Sequence, residues 1–307
     1  MILITEFMDA AAVDTLSAKV HTTYAPELAD DQHKIPVLLG KMRALIVRNR
    51  TQVTADLLAA APNLECVGRL GVGLDNIDQA TCAKRGIAVI PATGANNLSV
   101  AEYVITNALV LLRNAYQAGD DMRAGNWPRM ACVGHEISGK TLGLVGYGGI
   151  AQETAVKAKA LGMNICAYDP YLPPSDPAWD EAQSLSLEGV LKTADVISLH
   201  IPLTQETRHM IDENRLAQLK PGAVVINAAR GGVVDEDALA DSLRRGKLAG
   251  AALDVFEREP LTADAARRFY GLNNLILTPH IAGVTEESNV RVSAMIADRV
   301  LEALTIS

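Results

Sequence analysis

The stretch Thr141-Leu142-Gly143-Leu144-Val145-Gly146-Tyr147-Gly148-Gly149-Ile150-Ala151 decides the fold. Its first five residues form a short apolar run of strand character. From Gly146 it reads GxGxxA and opens a helical pattern that runs to Leu161. Strand, glycine-rich turn and helix, in that order, make a dinucleotide-binding signature. Gly146 permits the tight turn, Gly148 lets backbone approach a pyrophosphate with no Cβ in the way, and Ala151 allows the helix to pack close on the strand. The helix start adds free N–H donors and the positive end of its dipole. A glycine-rich turn alone is weak evidence, but the next strand candidate, Asn164 to Tyr168, ends at Asp169, 169 − 148 = 21 residues after the second glycine. A carboxylate at that place accepts hydrogen bonds from the adenosine ribose hydroxyls and repels a 2′-phosphate, and Asp169-Pro170-Tyr171 offers no Arg to receive one. NAD is therefore expected over NADP.

Outward from this stretch the chain alternates strand and helix. Downstream candidates at Val196 to Leu199, Ala223 to Ile226, Ala249 to Leu253 and Leu275 to Leu277 bring the nucleotide domain to six parallel strands. Upstream, Ile2 to Ile4, Ala44 to Val47, Cys66 to Leu70 and Ile87 to Ile90 alternate with helical patterns, with Thr54 and Asn76 as N-caps. A helical repeat from about Leu98 to Met122 is long enough, roughly 35 Å at 1.5 Å per residue, to bridge two domains. A last helix, about Glu286 to Leu304, is expected to return to the first domain. The fold class is thus α/β, with two doubly wound parallel-sheet domains, the second a Rossmann NAD-binding domain. Residues 1–97 plus 285–307 form a discontinuous substrate domain, and residues 98–284 the nucleotide domain.

Composition narrows the function. The chain has 307 residues, enough for about two domains, and 49% hydrophobic residues with only 4% aromatics suit Ala- and Val-rich buried strands and helices. A formal net charge of −8 disfavours nucleic acid as a partner. Cys66, Cys82, Cys132 and Cys166 show neither CxxC nor paired spacing, so no metal site or disulfide framework is expected and a reducing, cytoplasmic setting fits. No apolar stretch reaches membrane-spanning length, and the N-terminus lacks the pattern of a signal peptide.

Three later segments fall at strand ends, where doubly wound domains place ligands. They are Asn227-Ala228-Ala229-Arg230-Gly231-Gly232-Val233-Val234-Asp235-Glu236, Leu253-Asp254-Val255-Phe256-Glu257-Arg258-Glu259-Pro260, and Thr278-Pro279-His280-Ile281-Ala282-Gly283. With Gly71 to Asp78, Asn96, Val100-Ala101-Glu102 and His200 to Thr204, they resemble the D-isomer-specific 2-hydroxyacid dehydrogenase family, which includes phosphoglycerate dehydrogenase. The resemblance covers nearly the whole chain; Ala151 replaces the commoner third glycine. It implies NAD-dependent interconversion of a D-type 2-hydroxy acid and its 2-keto acid, with Arg230, Glu259 and His280 catalytic. Imidazole titrates near neutrality and suits proton transfer to the carbonyl oxygen, Glu259 would favour its charged form, and the Arg230 fork suits a carboxylate.

The resemblance further implies Gly149 and Ile150 at the pyrophosphate, Ala228 beside the nicotinamide and Asp254 on its amide. It places the backbone N–H groups of Val72 and Gly73 on the substrate carboxylate, with Asn96 nearby. Arg48-Asn49-Arg50-Thr51 resembles the segment that phosphoglycerate dehydrogenases use near the substrate phosphate and is reminiscent of bacterial (S)-sulfolactate dehydrogenases. If Arg48 and Arg50 serve that end, the substrate carries a second anion, phosphate or sulfonate; two surface arginines are the alternative. Glyoxylate or hydroxypyruvate reduction and an NAD-sensing corepressor of the same fold also stay open. A homodimer joined largely through the nucleotide domain is expected, from the resemblance and from the apolar helix Leu98 to Leu112.

Overall fold

Ile2, Leu3 and Ile4 form a strand (β1, Ile2–Ile4) in which all three side chains are fully buried, because the sheet it joins is covered on both faces. A computed structural model describes residues 1–305 and divides the chain into two compact units. One holds residues 1–96 and the chain from Val284 onward; the other is Asn97–Gly283. Each break falls one residue before its expected place.

The first unit is a five-stranded parallel sheet in the order β2-β1-β3-β4-β5, with β2 at Thr22–Tyr24, β3 at Ala44–Val47, β4 at Cys66–Arg69 and β5 at Ala88–Pro91. Alternate residues face opposite layers. Ile2, Ile4, Ala44 and Ile46 pack with Leu16, Ile296 and Val300, and Leu3, Leu45 and Val47 pack with Leu39, Leu57 and Leu58. Each fully buried aliphatic side chain contributes about 1.5–3 kcal/mol. The last helix, Glu286–Ala303, lies on this unit. Gly68 makes room for it, since a Cβ there would sit 2.8 Å from Ile296 Cγ2 and 2.9 Å from Val300 Cγ2. Thr54 caps its helix as expected, accepting from Leu57 N–H. Asn76 does not: Asp78 caps Gln79–Lys84, and the Asn76 amide instead donates to the carbonyls of Arg48 and Thr51.

The second unit is a seven-stranded parallel sheet in the order β12-β11-β10-β9-β6-β7-β8. Its strands are β6 (Thr141–Val145), β7 (Asn164–Tyr168), β8 (Gln183–Ser184), β9 (Val196–Leu199), β10 (Ala223–Asn227), β11 (Leu248–Leu253) and β12 (Leu275–Leu277). The strand order reverses between β6 and β9, which is where this topology opens a ligand crevice. The expected helix from Leu98 to Met122 is shorter, Asn97–Arg113, about 26 Å long. Asn114 adopts a left-handed conformation (φ 52°) that stops the helix, and a separate short helix follows at Gly119–Arg123. The helix falls wholly within the second unit. Its apolar face, Val104, Ile105, Ala108, Leu111 and Leu112, is buried with Leu142, Leu144, Val224 and Ile226 in the core of its own unit.

Candidate active site

The turn after β6 has the form its sequence requires. Gly146 takes φ 87°, and a Cβ there would lie 2.5 Å from the His200 carbonyl oxygen on the neighbouring strand end. Gly148 is different: its φ is −78°, and a Cβ would meet nothing within 4 Å. Neither conformation nor internal packing asks for glycine there, so its missing side chain leaves space outside the protein for a ligand. The helix Gly149–Ala160 starts at that point with no side-chain cap, leaving its first N–H groups, those of Gly149 and Ile150 included, for an anion. Ala151 is fully buried. Asp169 sits beyond β7, one oxygen accepting from Tyr147 N–H at 2.9 Å and the other from Tyr171 N–H at 2.9 Å, and each oxygen keeps a further lone pair for a hydroxyl. His200 lines the same crevice; its Nε2 is 2.9 Å from Ser198 Oγ, and burial pushes its pKa down to about 4, so it is neutral near pH 7.

Arg230, Glu259 and His280 follow β10, β11 and β12, and the fold brings these three ends together. His280 Nδ1 lies 2.7 Å from Glu259 Oε2, and Glu259 Oε1 accepts from Phe256 N–H at 3.0 Å. Burial works to raise the Glu259 pKa. The hydrogen bond and charge of His280, the Phe256 N–H and the charge of Arg230 outweigh it, and the carboxyl is held below its ordinary value. The Arg230 loop and the Glu259 loop touch backbone to backbone. A Cβ on Gly231 would fall 1.8 Å from the Phe256 carbonyl oxygen. Asn227, 1% exposed, clasps the Arg230 loop by donating to the Arg230 carbonyl at 2.9 Å and accepting from Ala229 N–H at 3.1 Å; Ala228 lies inside this clasp.

In the first unit, Val72 and Gly73 follow β4 half-buried, and no hydrogen bond from either N–H is made among the described residues. Asn96 Oδ1 is buried without a hydrogen-bond partner among the described residues. A buried amide oxygen left this way costs free energy unless a ligand or water meets it. The segment Arg48 to Thr51 is pinned from below by Glu6, 3% exposed, whose carboxylate accepts from the N–H groups of Arg48, Asn49, Arg50 and Thr51 at 2.7–3.3 Å. The Arg48 side chain is half-buried and donates to Asn289 Oδ1 at 2.9 Å.

Residues 105–282 match the family described as D-isomer specific 2-hydroxyacid dehydrogenase, NAD binding domain. The chain is 53% identical over 306 residues to an (S)-sulfolactate dehydrogenase of Chromohalobacter salexigens, covering 99% of this chain and 98% of that protein. It is 40% identical over 276 residues to a hydroxypyruvate reductase of Thermotoga maritima, covering 90% and 89%. It belongs to the D-isomer specific 2-hydroxyacid dehydrogenase family. Among solved structures, the D-lactate dehydrogenase of Aquifex aeolicus complexed with NAD and lactic acid superposes with a TM-score of 0.86 at 30% identity, over 99% of this chain and 95% of that one. This dehydrogenase is thus an NAD-dependent oxidoreductase acting on a 2-hydroxy acid and its 2-keto acid.

Two residues expected to touch ligands also have protein partners in the structure. Arg50 was grouped with Arg48, but its guanidinium forms an ion pair with Asp30 on the exposed surface. Asp254, expected on the nicotinamide amide, is 1% exposed and turned inward: its carboxylate accepts from the Thr278 hydroxyl at 2.6 Å and from the N–H groups of Ile281 and Ala282, each at 2.8 Å. Three acceptor positions are spent on the His280 loop. The residues that sequence reading missed, Glu6, Asn227, Tyr103 and Thr278, all act by holding backbone or one another. Asn227 and Thr278 open two of the segments that carry the resemblance but were given no role there, and Glu6 and Tyr103 lie outside every quoted segment.

Proposed function

We propose that the enzyme interconverts a 2-hydroxy acid bearing a second anion, of the sulfolactate type, and its 2-keto acid. The observation that carries this reading is the 53% identity to an (S)-sulfolactate dehydrogenase across almost the full length of both chains. The half-buried Arg48, built into a loop that Glu6 holds by four N–H groups, supports it as the partner of the second anion. In the first unit, Val72 and Gly73 N–H and the Asn96 amide are assigned to the substrate. In the second, Arg230 takes the carboxylate and polarises the carbonyl, and His280, oriented through Nδ1 by Glu259, delivers the proton to the carbonyl oxygen from Nε2. A bound nicotinamide would supply the hydride in reduction and take it up in oxidation, while these residues bind, orient and move the proton. Gly146, Gly148, Gly149, Ile150 and Asp169 are assigned to the pyrophosphate and ribose, Ala228 to the nicotinamide side, and Asp254 to the nicotinamide amide through the acceptor position that its contacts with the His280 loop leave.

The test is NADH and NADPH oxidation with sulfopyruvate, phosphohydroxypyruvate, hydroxypyruvate and pyruvate. The expected result is the highest kcat/KM for sulfopyruvate with NADH. A higher value for hydroxypyruvate would move the assignment to a reductase like the Thermotoga maritima relative.

The same reading includes a cytoplasmic homodimer. All four cysteines are free thiols, in keeping with a reducing compartment, and no described helix is long and apolar enough to cross a membrane. The apolar face of Asn97–Arg113 no longer argues for a dimer, since its own core uses it. Support comes from the segment after it, where Tyr116, Trp127, Met130 and Val133 are 65–81% exposed in a short stretch of chain. Light scattering at micromolar concentration is expected to give twice 32.7 kDa; a 32.7 kDa species alone counts against the dimer.

A further inference from the structure

We propose that Tyr103 and Thr278 are positioning residues for His280, acting through Asp254 to hold the imidazole's loop in the conformation proton transfer requires. The inference rests on the reading of His280 as the proton donor. His280 has φ 56°, in the left-handed region that non-glycine residues occupy uncommonly, His more readily than most, and its surroundings hold it there. Those surroundings converge on Asp254. Its main-chain carbonyl accepts the His280 N–H at 2.8 Å, and its carboxylate accepts the next two N–H groups, of Ile281 and Ala282, so the residue is gripped on both sides of the bend.

The orientation of that carboxylate is fixed in turn. Thr278 donates its hydroxyl hydrogen to Asp254 Oδ1 at 2.6 Å. A hydroxyl has one hydrogen, so the 2.7 Å contact between Tyr103 and Thr278 Oγ1 runs the other way: Tyr103 donates and Thr278 accepts. Burial pushes the Tyr103 pKa up to about 12, so the phenol keeps the proton it donates throughout the range in which the enzyme is assayed. Tyr103 stands on the helix Asn97–Arg113, whose neighbouring residues Val104 and Ile105 are packed in the core of the nucleotide unit. The chain of bonds therefore ties the His280 loop to a rigid helix, and Asp254, Thr278 and Tyr103 are oriented one by the next.

The test is a double-mutant cycle on the full-length enzyme with Thr278→Val, Tyr103→Phe and the pair, measuring kcat for keto-acid reduction and NADH binding separately. Thr278→Val keeps the shape and removes both the donor to Asp254 and the acceptor for Tyr103. It is expected to lower kcat about tenfold, the effect of losing one charge-assisted bond near the lower end of its range, with NADH affinity little changed. Thr278→Ser, which keeps the hydroxyl, is expected to restore most of the rate. Tyr103→Phe is expected to lose less, and the pair no more than Thr278→Val alone, because both substitutions break one chain. Additive losses in the pair, a wild-type kcat in Thr278→Val, or a fall in NADH affinity equal to the fall in kcat would each overturn the proposal. If Thr278→Val does not fold, Tyr103→Phe carries the same comparison. His280→Gln assayed alongside separates the two readings: near-normal turnover there removes His280 as the donor, whereas an inactive His280→Gln beside a fully active Thr278→Val removes only the relay.

Discussion

Replacing His280 by Gln is expected to lower kcat for keto-acid reduction by about 10²–10⁴-fold while leaving NADH binding largely intact. Glutamine fills a similar volume and can still hydrogen-bond to Glu259, but it has no proton to give at neutral pH. The imidazole is placed for that task. Nδ1 is committed to Glu259 Oε2 at 2.7 Å, which leaves Nε2 for a substrate oxygen, and the side chain is 41% exposed and so within reach of one. Near-normal turnover in the variant would exclude the role. Glu259→Gln gives a second readout. The Glu259 carboxyl is held below its ordinary value mainly by His280, despite burial, so near pH 7 it is an anion beside the ring. Its Oε2 holds the ring through Nδ1, so Glu259→Gln is expected to lower kcat for reduction with NADH binding little changed; an unchanged kcat would take Glu259 out of the mechanism.

Arg48→Ala is expected to raise KM for a dianionic keto acid by roughly one to two powers of ten, since a charge-assisted hydrogen bond contributes about 1.5–3 kcal/mol. The far end of the substrate does not change charge during hydride transfer, so the loss should fall mainly on binding rather than on kcat. Pyruvate, with no second anion, should be little affected. The structure adds a control. Arg50, two residues on, is engaged by Asp30 at the surface, and an exposed ion pair of this kind contributes at most about 1 kcal/mol. Arg50→Ala is therefore expected to behave like wild type on every substrate. Equal losses on sulfopyruvate and pyruvate in Arg48→Ala would show that the residue serves folding, through Asn289, and the dianion assignment would fall with it.

The strands β6, β7 and β9 to β12 were legible because an apolar run bounded by turn residues is a local pattern, and GxGxxA reports a local backbone requirement. The edge strands β2 and β8 were not legible. Thr22–Tyr24 and Gln183–Ser184 have no buried apolar run and are strands only because a neighbour offers its hydrogen-bonding edge. The stop at Asn114 was hidden for a similar reason, since the apolar repeat continues past it and only the backbone reverses.

By itself the sequence determined the fold class and the nucleotide turn, because each rests on residue types at short, ordered spacing; Arg230, Glu259 and His280 were singled out by the resemblance to the family. What only the tertiary structure decided is which side chain is free to act. Arg48 and Arg50 look alike in sequence, and they differ because Asn289, 241 residues away, holds one and Asp30, 20 residues away, holds the other. That Asp254 also holds the His280 loop appears only when Thr278, Ile281 and Ala282, 24 to 28 residues on, meet its oxygens. A carboxylate or guanidinium has few bonding directions, and which partners fill them is settled by chain segments that meet only when the protein is folded.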